Sequence, residues 1–391
     1  MARLIAQIRK ILDNDEYGGL YDTLEHLNQI FSQMFSDYKY KTFISTRYSQ
    51  IMGDHLHLLL DIVGEPLASL EGKISKISGH VGGGGIENPR FPEGQELEEL
   101  FARIIAIVIS DGHLRPNGII EYSEPDMERI RTMENYLQAF GDIRLNPGYI
   151  EKGRYYITPI SNVLGNALIH LGLTTGDKTI QNSDLFSSFL NISWRALCAF
   201  FEELIPQDGS VTPISISCTH TLALHPGDKE GAFGSSPLIG NAEVEFIKGH
   251  GKPGKKNAVL TVSTLVDLTK SEDPDEARIA RKLLKTILDN PNKFIKFEKR
   301  MADKIGVKTN TVPYTIRYHY KSGRVSVAWY ITTAGVYHAI KMAMIAPSND
   351  IKRRQIMRDA IRKRPKLVKK ILEELKSVGI HINKWWIQKQ E

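Results

Sequence analysis

Leu100-Phe-Ala-Arg-Ile-Ile-Ala-Ile-Val-Ile-Ser-Asp111-Gly112-His113-Leu114 reads as an apolar helix, small at Ala102 and Ala106, that stops at an Asp-Gly pair. Almost a hundred residues later the event recurs. Ser193-Trp-Arg-Ala-Leu-Cys-Ala-Phe-Phe-Glu-Glu-Leu-Ile-Pro-Gln-Asp208-Gly209-Ser210-Val211 is again apolar, small at Ala196 and Ala199, and closes on Asp-Gly. Aligning the two pairs puts Ala102 over Ala199. Small residues at such positions let helices approach closely, and helices commonly end at glycine. The pattern predicts two helices side by side, with Asp111 and Asp208 at adjacent ends. Carboxylates brought together there repel one another unless a cation lies between them.

Downstream of each pair the chain repeats one order of elements. After Asp111, residues 113–123 alternate as a hairpin turning at Pro116-Asn117-Gly118. Glu124-Pro125-Asp126 opens a helix with a stripe of Met127, Ile130, Met133 and Leu137. A second hairpin spans 142–158, turning at Lys152-Gly153, and a helix covers 160–171. After Asp208, strands are expected near 211–223 and 257–267, helices over 275–305, a hairpin over 312–331 turning at Lys321-Ser-Gly323, and a helix over 333–345. The Gly- and Lys-rich segment 226–256 reads as a flexible insertion off the first hairpin. The fold class is α+β: two pseudo-two-fold related αββαββα units with antiparallel sheets. The expected divisions are a helical N-terminal region and linker (1–94), a first unit (95–191), a second unit (192–346) and a basic helical extension (347–391).

Charge is distributed unevenly. The chain has 391 residues and a net charge of +6, which favours an anionic partner. Yet the first 95 residues carry 9 basic and 12 acidic side chains, a poor surface for nucleic acid, whereas residues 346–391 carry 13 basic and 5 acidic ones. The extension is suited to phosphate contacts that carry no sequence information. Asp54-His55-Leu56-His57 has no further ligands nearby and is read as an ordinary helix surface. Gly82–Gly85 reads as a linker. Cys198 and Cys218 form neither a zinc spacing nor a disulfide framework. No apolar run is long enough to cross a membrane, and the first residues read as no signal peptide, so a cytoplasmic, nucleoid-associated protein is expected.

The hairpins indicate the partner. In Tyr314–Lys321, Tyr314, Ile316, Tyr318 and Tyr320 alternate with Thr315, Arg317, His319 and Lys321, while Arg154, Tyr156 and Thr158 stand opposite Tyr155 and Ile157. One face packs on helices and the other is polar and cationic. Two-stranded ribbons fit the DNA major groove, where Arg, Lys, Asn and Gln read base edges. Arg115, Asn117, Arg154, Tyr156, Arg317, His319, Lys321 and Arg324 are the candidate DNA contacts.

The two Asp-Gly helices with their repeated hairpins resemble the LAGLIDADG homing endonucleases, in the single-chain, two-motif form of the archaeal intron-encoded type. The resemblance covers roughly residues 96–345. It implies saddle-shaped sheets, a monomer, double-stranded DNA with a long recognition site as partner, and Mg²⁺-dependent (or Mn²⁺-dependent) phosphodiester cleavage. Intron RNA is a second candidate partner. The family's metal-binding acids map onto Asp111 and Asp208, with backbone carbonyls from Ser110 and Gln207. Thr175-Gly-Asp-Lys178-Thr resembles the family's Gly-x-Lys-Thr stretch, which assigns a catalytic lysine to Lys178. Lys352 is its weaker counterpart, and Glu124 matches the polar residue that places water. Two departures stand in the second motif: Glu203 replaces the small residue found at Ala106, and Pro206 lies two residues before Asp208. Either is expected to loosen that motif. The alternative function is a non-cleaving DNA- or RNA-binding protein on the same scaffold, an intron maturase or a transcriptional regulator.

Overall fold

The computed structural model describes residues 44–45, 50–51, 68, 71–72, 75–78, 84–150, 154–159, 161–177, 191–227, 237–380 and 382, without the side chains of 44–51, 78, 147–150 and 154. Two compact units result. One joins the described residues before Gly94 to Leu137–Arg144, and the other comprises Gly94–Tyr136 and the chain from Leu145 onward. In the first, β1 (Ile44–Ser45) pairs with β2 (Gln50–Ile51). There too β3 (Lys76–Ser78) pairs with β4 (Gly85–Glu87), and β4 with Asp142–Ile143, the seventh strand in chain order. The helical stripes expected over 1–80 lie outside the described residues. The described elements there are short strands, which the reading of a mostly helical region did not include.

The second unit holds the repeat. Its first half runs α1 (Gly94–Ile109), β5 (Gly112–Leu114), β6 (Ile120–Glu124), α2 (Met127–Gln138, of which Met127–Tyr136 belong here), β8 (Leu145–Ile150), β9 (Arg154–Pro159) and α3 (Val163–His170). The second half opens with α4 (Trp194–Asp208), β10 (Gly209–Thr212) and β11 (Ser215–His225). An insertion comes next: α5 (Asn241–His250), β12 (Lys252–Pro253), β13 (Asn257–Thr261), α6 (Val262–Leu268) and α7 (Pro274–Asp289). The half then closes with α8 (Lys293–Lys304), β14 (Thr309–His319), β15 (Val325–Thr333) and α9 (Val336–Ile345). Both sheets are antiparallel and share one order, β5-β6-β9-β8 and β10-β11-β15-β14; the second continues through β13 to β12.

Two expectations about the second half are corrected. Its first hairpin closes on itself at Pro213-Ile214, where the Thr212 hydroxyl accepts from the Ile214 and Ser215 N–H groups at 3.4 and 3.0 Å. The strand at 257–261 pairs instead with β14, Asn257 opposite His319. Residues from Val262 turn helical because the Thr261 hydroxyl accepts from Thr264 N–H at 3.1 Å, an N-cap. The insertion is not all loop either. Glu243 accepts from Gly240 N–H at 3.0 Å, and α5 buries Val244, Phe246 and Ile247.

Helices α1 and α4 pack together at the core. From Ala102 to Ile109, α1 is buried except at Arg103, and α4 buries Ala196–Phe201 and Leu204–Ile205. Each buried Ile or Phe contributes about 1.5–3 kcal/mol. The glycine that ends each motif has a steric cause, and neither adopts a left-handed backbone. The strand leaves so close to the last helical turn that a Cβ on Gly112 would meet Val108 Cα at 2.7 Å, and one on Gly209 would meet Ile205 O at 2.5 Å. Both clashes fall on the residue four before, so both motifs turn for the same reason.

The basic extension folds as α10 (Ile351–Arg362) and α11 (Pro365–Ser377), burying Met357, Ile361, Ile371 and Leu375. Buried Lys341 of α9 ties it down, donating to Gly306 O at 2.9 Å and to Glu374 at 2.7 Å. Trp385-Trp386 lies outside the described residues.

Candidate active site

The two motif helices run parallel. Near their starts, Glu98 accepts from Ser193 N–H at 2.7 Å, and further along both helices Arg103 meets Glu202 at 2.7 Å. Their Asp-Gly ends therefore lie at the same end of the pair, and one side chain spans both. Tyr122, on β6 opposite Gly112, donates to Gln207 Oε1 at 3.1 Å, one residue before Asp208. Burial, then Glu124 and, more weakly, Asp111, push its phenol well above the ordinary range, so this hydroxyl senses the first motif while bonding the second. Asp111 is exposed and the Asp208 side chain is 25% exposed. Ser110 turns its hydroxyl back onto Ala106 O at 2.6 Å.

Register identifies equivalent residues in the two halves. Gly112 faces Tyr122 and Gly209 faces Cys218, so two residues further on Glu124 corresponds to His220. Each is only 6% exposed. Glu124 meets Arg129 of α2 at 3.4 Å, and Arg129 reaches Asp350 at 3.3 Å. His220 lies 3.7 Å from Asp208 through Nδ1, and its Nε2 is hydrogen-bonded to Glu298 of α8, a carboxylate with 0% exposure. Burial, then Glu298 and Asp208, push the thiol of buried Cys218 up.

The irregular residues of the second motif are built into this region. Glu203, 3% exposed, accepts from Arg103 at 3.4 Å and from Tyr136 and Asn349 through short bonds. Burial, reinforced by Glu203, drives the Tyr136 phenol upward, and burial raises the Glu202 carboxyl despite Arg103. Pro206 has no N–H to offer Glu202 O, the carbonyl four residues before. Asn349 N–H takes that carbonyl at 3.3 Å. The Arg353 guanidinium then bonds the carbonyls of Ile205 and Pro206. Asp350 N-caps α10, accepting from Arg353 N–H at 2.8 Å; those bonds and Arg129 hold its carboxyl below the usual carboxylate range against the opposing, largest effect of burial. The loosening expected from Glu203 and Pro206 is thus offset by the segment Ser348–Arg353.

Lys178 lies outside the described residues. Lys352 is exposed; its neighbour Arg353 is the side chain that reaches the end of α4. Arg115 pairs with Glu121, and Asn117 stabilises its turn by accepting from Ile119 N–H at 3.3 Å. Arg154 is placed by backbone only, on the same strand as half-buried Tyr156. Arg317 and Lys321 are exposed. Half-buried His319 has its pKa lowered by burial, then by Arg324 and Arg317, which makes it a neutral donor–acceptor near pH 7. Arg324 pairs with Asp177 at 2.9 Å. The expected alternation fails at Tyr314, at Thr315, which is buried, and at Tyr320, which is 43% exposed. A bulge between Pro313 and Thr315 turns Tyr314 to the polar face, 50% exposed and stacked on Tyr330 at 4.8 Å, while Ile316 stays buried. Tyr122, Arg129, His220, Glu298 and Arg353 were not legible as site residues; only the equivalence of Glu124 and His220 about the two glycines could have pointed to one of them.

Among the described residues no group of three or more His, Cys, Asp or Glu side chains converges on one metal-sized point. The donors at the helix ends are two carboxylates, a set of hard oxygens that fits Mg²⁺ or Mn²⁺ when phosphate and water complete the shell. No described helix is long and apolar enough to cross a membrane.

No protein-family profile and no curated protein matches the sequence. Among solved structures, the chain is similar to I-DmoI in complex with DNA and Mn, at 11% identity and a TM-score of 0.32 over 65% of this chain and 99% of that one. It is also similar to I-DmoI in complex with DNA and Ca, at 9% identity and a TM-score of 0.33 over 66% and 97%. Full-length DUF199/WhiA from Thermatoga maritima is a third, at 10% identity and a TM-score of 0.30 over 74% and 70%.

Proposed function

We propose that this chain is a site-specific double-strand DNA endonuclease of the LAGLIDADG type, in which Asp111 and Asp208 hold divalent metal at the paired ends of α1 and α4. One observation carries the reading. Two parallel helices end in Asp-Gly for the same steric reason, are bridged at their ends by Tyr122 and Gln207, and each feeds an antiparallel sheet whose first four strands share one order.

Metal bound there supplies an activated water and stabilises charge on the phosphate and the leaving oxygen. The chain's own residues do the rest. Ser110 and Gln207 would lend their backbone carbonyls to the oxygen donors. Arg129 holds Glu124 beside the helix ends, where its carboxylate orients water. Arg353 would add positive charge near the scissile phosphate, and Lys178, which matches the family's lysine, is assigned the same role. The polar faces, with Tyr156, Tyr314, Arg317, His319 and Lys321, read the duplex, and the exposed cations of α10 and α11 add contacts independent of sequence.

The test is selection by cleavage from a randomised duplex library with Mg²⁺, followed by sequencing of the cut ends. A single long consensus supports the reading. A library that is bound but never cut would favour the non-cleaving regulator or maturase.

A further inference from the structure

The His220–Glu298 pair is the buried polar feature that the oxygen-only metal site leaves unexplained. Glu298 is wholly buried on α8, and its Oε2 has no hydrogen-bond partner. A carboxylate buried this fully is costly unless paired and hydrogen-bonded, so its half-satisfied state calls for an explanation. Its other oxygen is bonded to His220 Nε2. A carboxylate only accepts, so Nε2 carries a proton, and Nδ1 presents a lone pair to a metal once any proton it holds is released, as metal binding requires. That nitrogen faces Asp208 Oδ2 at 3.7 Å. The ring cannot swing away readily, because it lies against Phe294 at 5.7 Å and faces Trp329 across the sheet.

We infer that His220 Nδ1 is a ligand of the divalent metal at Asp208, with Glu298 as the buried carboxylate that orients it. Metal-binding histidines characteristically donate their second ring N–H to a carboxylate, which fixes the tautomer and raises ligand basicity. Two ligands of one ion lie roughly 3.0–3.4 Å apart at ordinary bond lengths. Asp208 is a quarter exposed, so a small rotation closes the difference. The first half has Glu124 at the equivalent position, tied to Arg129, and keeps an oxygen-only site. The two centres therefore differ chemically. The second favours ions that accept imidazole, rising from Mn²⁺ through Co²⁺ to Ni²⁺, over Mg²⁺.

This inference rests on the metal-site reading above, and the experiment separates the two. Frozen full-length protein, in excess over Mn²⁺, is probed by pulsed EPR for ¹⁴N coupling to the ion. Wild type should show it, and so should Asp111→Asn and His113→Ala. Asp208→Asn and His220→Ala should abolish it. Glu298→Gln should keep the coupling while weakening Mn²⁺ binding by about 10–100-fold. If Mn²⁺ binds through Asp208 without ¹⁴N coupling, the histidine ligand is wrong and the endonuclease reading survives. If the protein takes up no Mn²⁺, both fail. Should His220→Ala not fold, the comparison of wild type with Asp208→Asn decides.

Discussion

Replacing Glu203 by alanine tests whether the unusual acid of the second motif is a structural hub. Glu203 is the common acceptor for Arg103 of α1, Tyr136 of α2 and Asn349 of the loop before α10. Its removal leaves the Tyr136 hydroxyl without that acceptor in a half-buried position, about 1–3 kcal/mol for a stranded donor. Arg103 keeps Glu202 at 2.7 Å, so its share is smaller than for a fully orphaned charge. A small cavity adds to the loss. The total expected for Glu203→Ala is about 3–5 kcal/mol, the range for breaking a buried ion pair from one side. Urea unfolding with an unchanged m-value reads this as a fall in midpoint. The double variant Tyr136→Phe/Glu203→Leu should recover much of the loss, because it removes the stranded hydroxyl and fills the space with apolar atoms while Arg103 keeps Glu202. A Glu203→Ala cost below about 1 kcal/mol would refute the reasoning, as would a double variant worse than the single.

Arg353→Met should cost about 1.5–3 kcal/mol by stripping two carbonyls at the end of α4 of a charged donor, and should impair Asp208-dependent metal binding; Lys352→Met should do neither. Gly209→Ala and Gly112→Ala should each destabilise by about 1–3 kcal/mol through the clash with the preceding helical turn, measured by thermal unfolding, whereas exposed Gly249→Ala should not. Burial and neighbouring cations lower the pKa of both His319 and His338, so below the ordinary imidazole value the unfolded chain binds more protons than the folded one. Their contribution to stability should therefore rise with pH through that window and level off above it, a slope that His319→Gln/His338→Gln removes in urea midpoints taken across it.

The helices were legible because their cause is local: an unbroken apolar run, then a glycine demanded by a strand that leaves against the last turn. The order of strands within each half came from turn residues at fixed offsets. What stayed hidden depends on distant pairing. The strand at 257–261 comes after 211–223 in the chain, yet its partner is β14, beside His319. Tyr314 changes face because a bulge adds one residue, which a period of two cannot reveal. Arg129, His220 and Arg353 carry no spacing signal of their own; they acquire meaning only when β6, β11 and α10 are brought to the ends of α1 and α4. The basic tail read as a charge run, and its first turn is a cap for the helix that Pro206 interrupts.

The most direct test of the central claim is cleavage of the selected target by Asp111→Asn and Asp208→Asn, read on supercoiled plasmid with Mg²⁺ beside a gel shift in Ca²⁺. Asparagine keeps shape and hydrogen bonding but removes the charge that holds metal. Both variants should bind as tightly as wild type, or more tightly, and neither should make double-strand breaks; nicking by one of them is compatible with unequal halves. Double-strand cleavage at the wild-type rate by either variant would contradict the account.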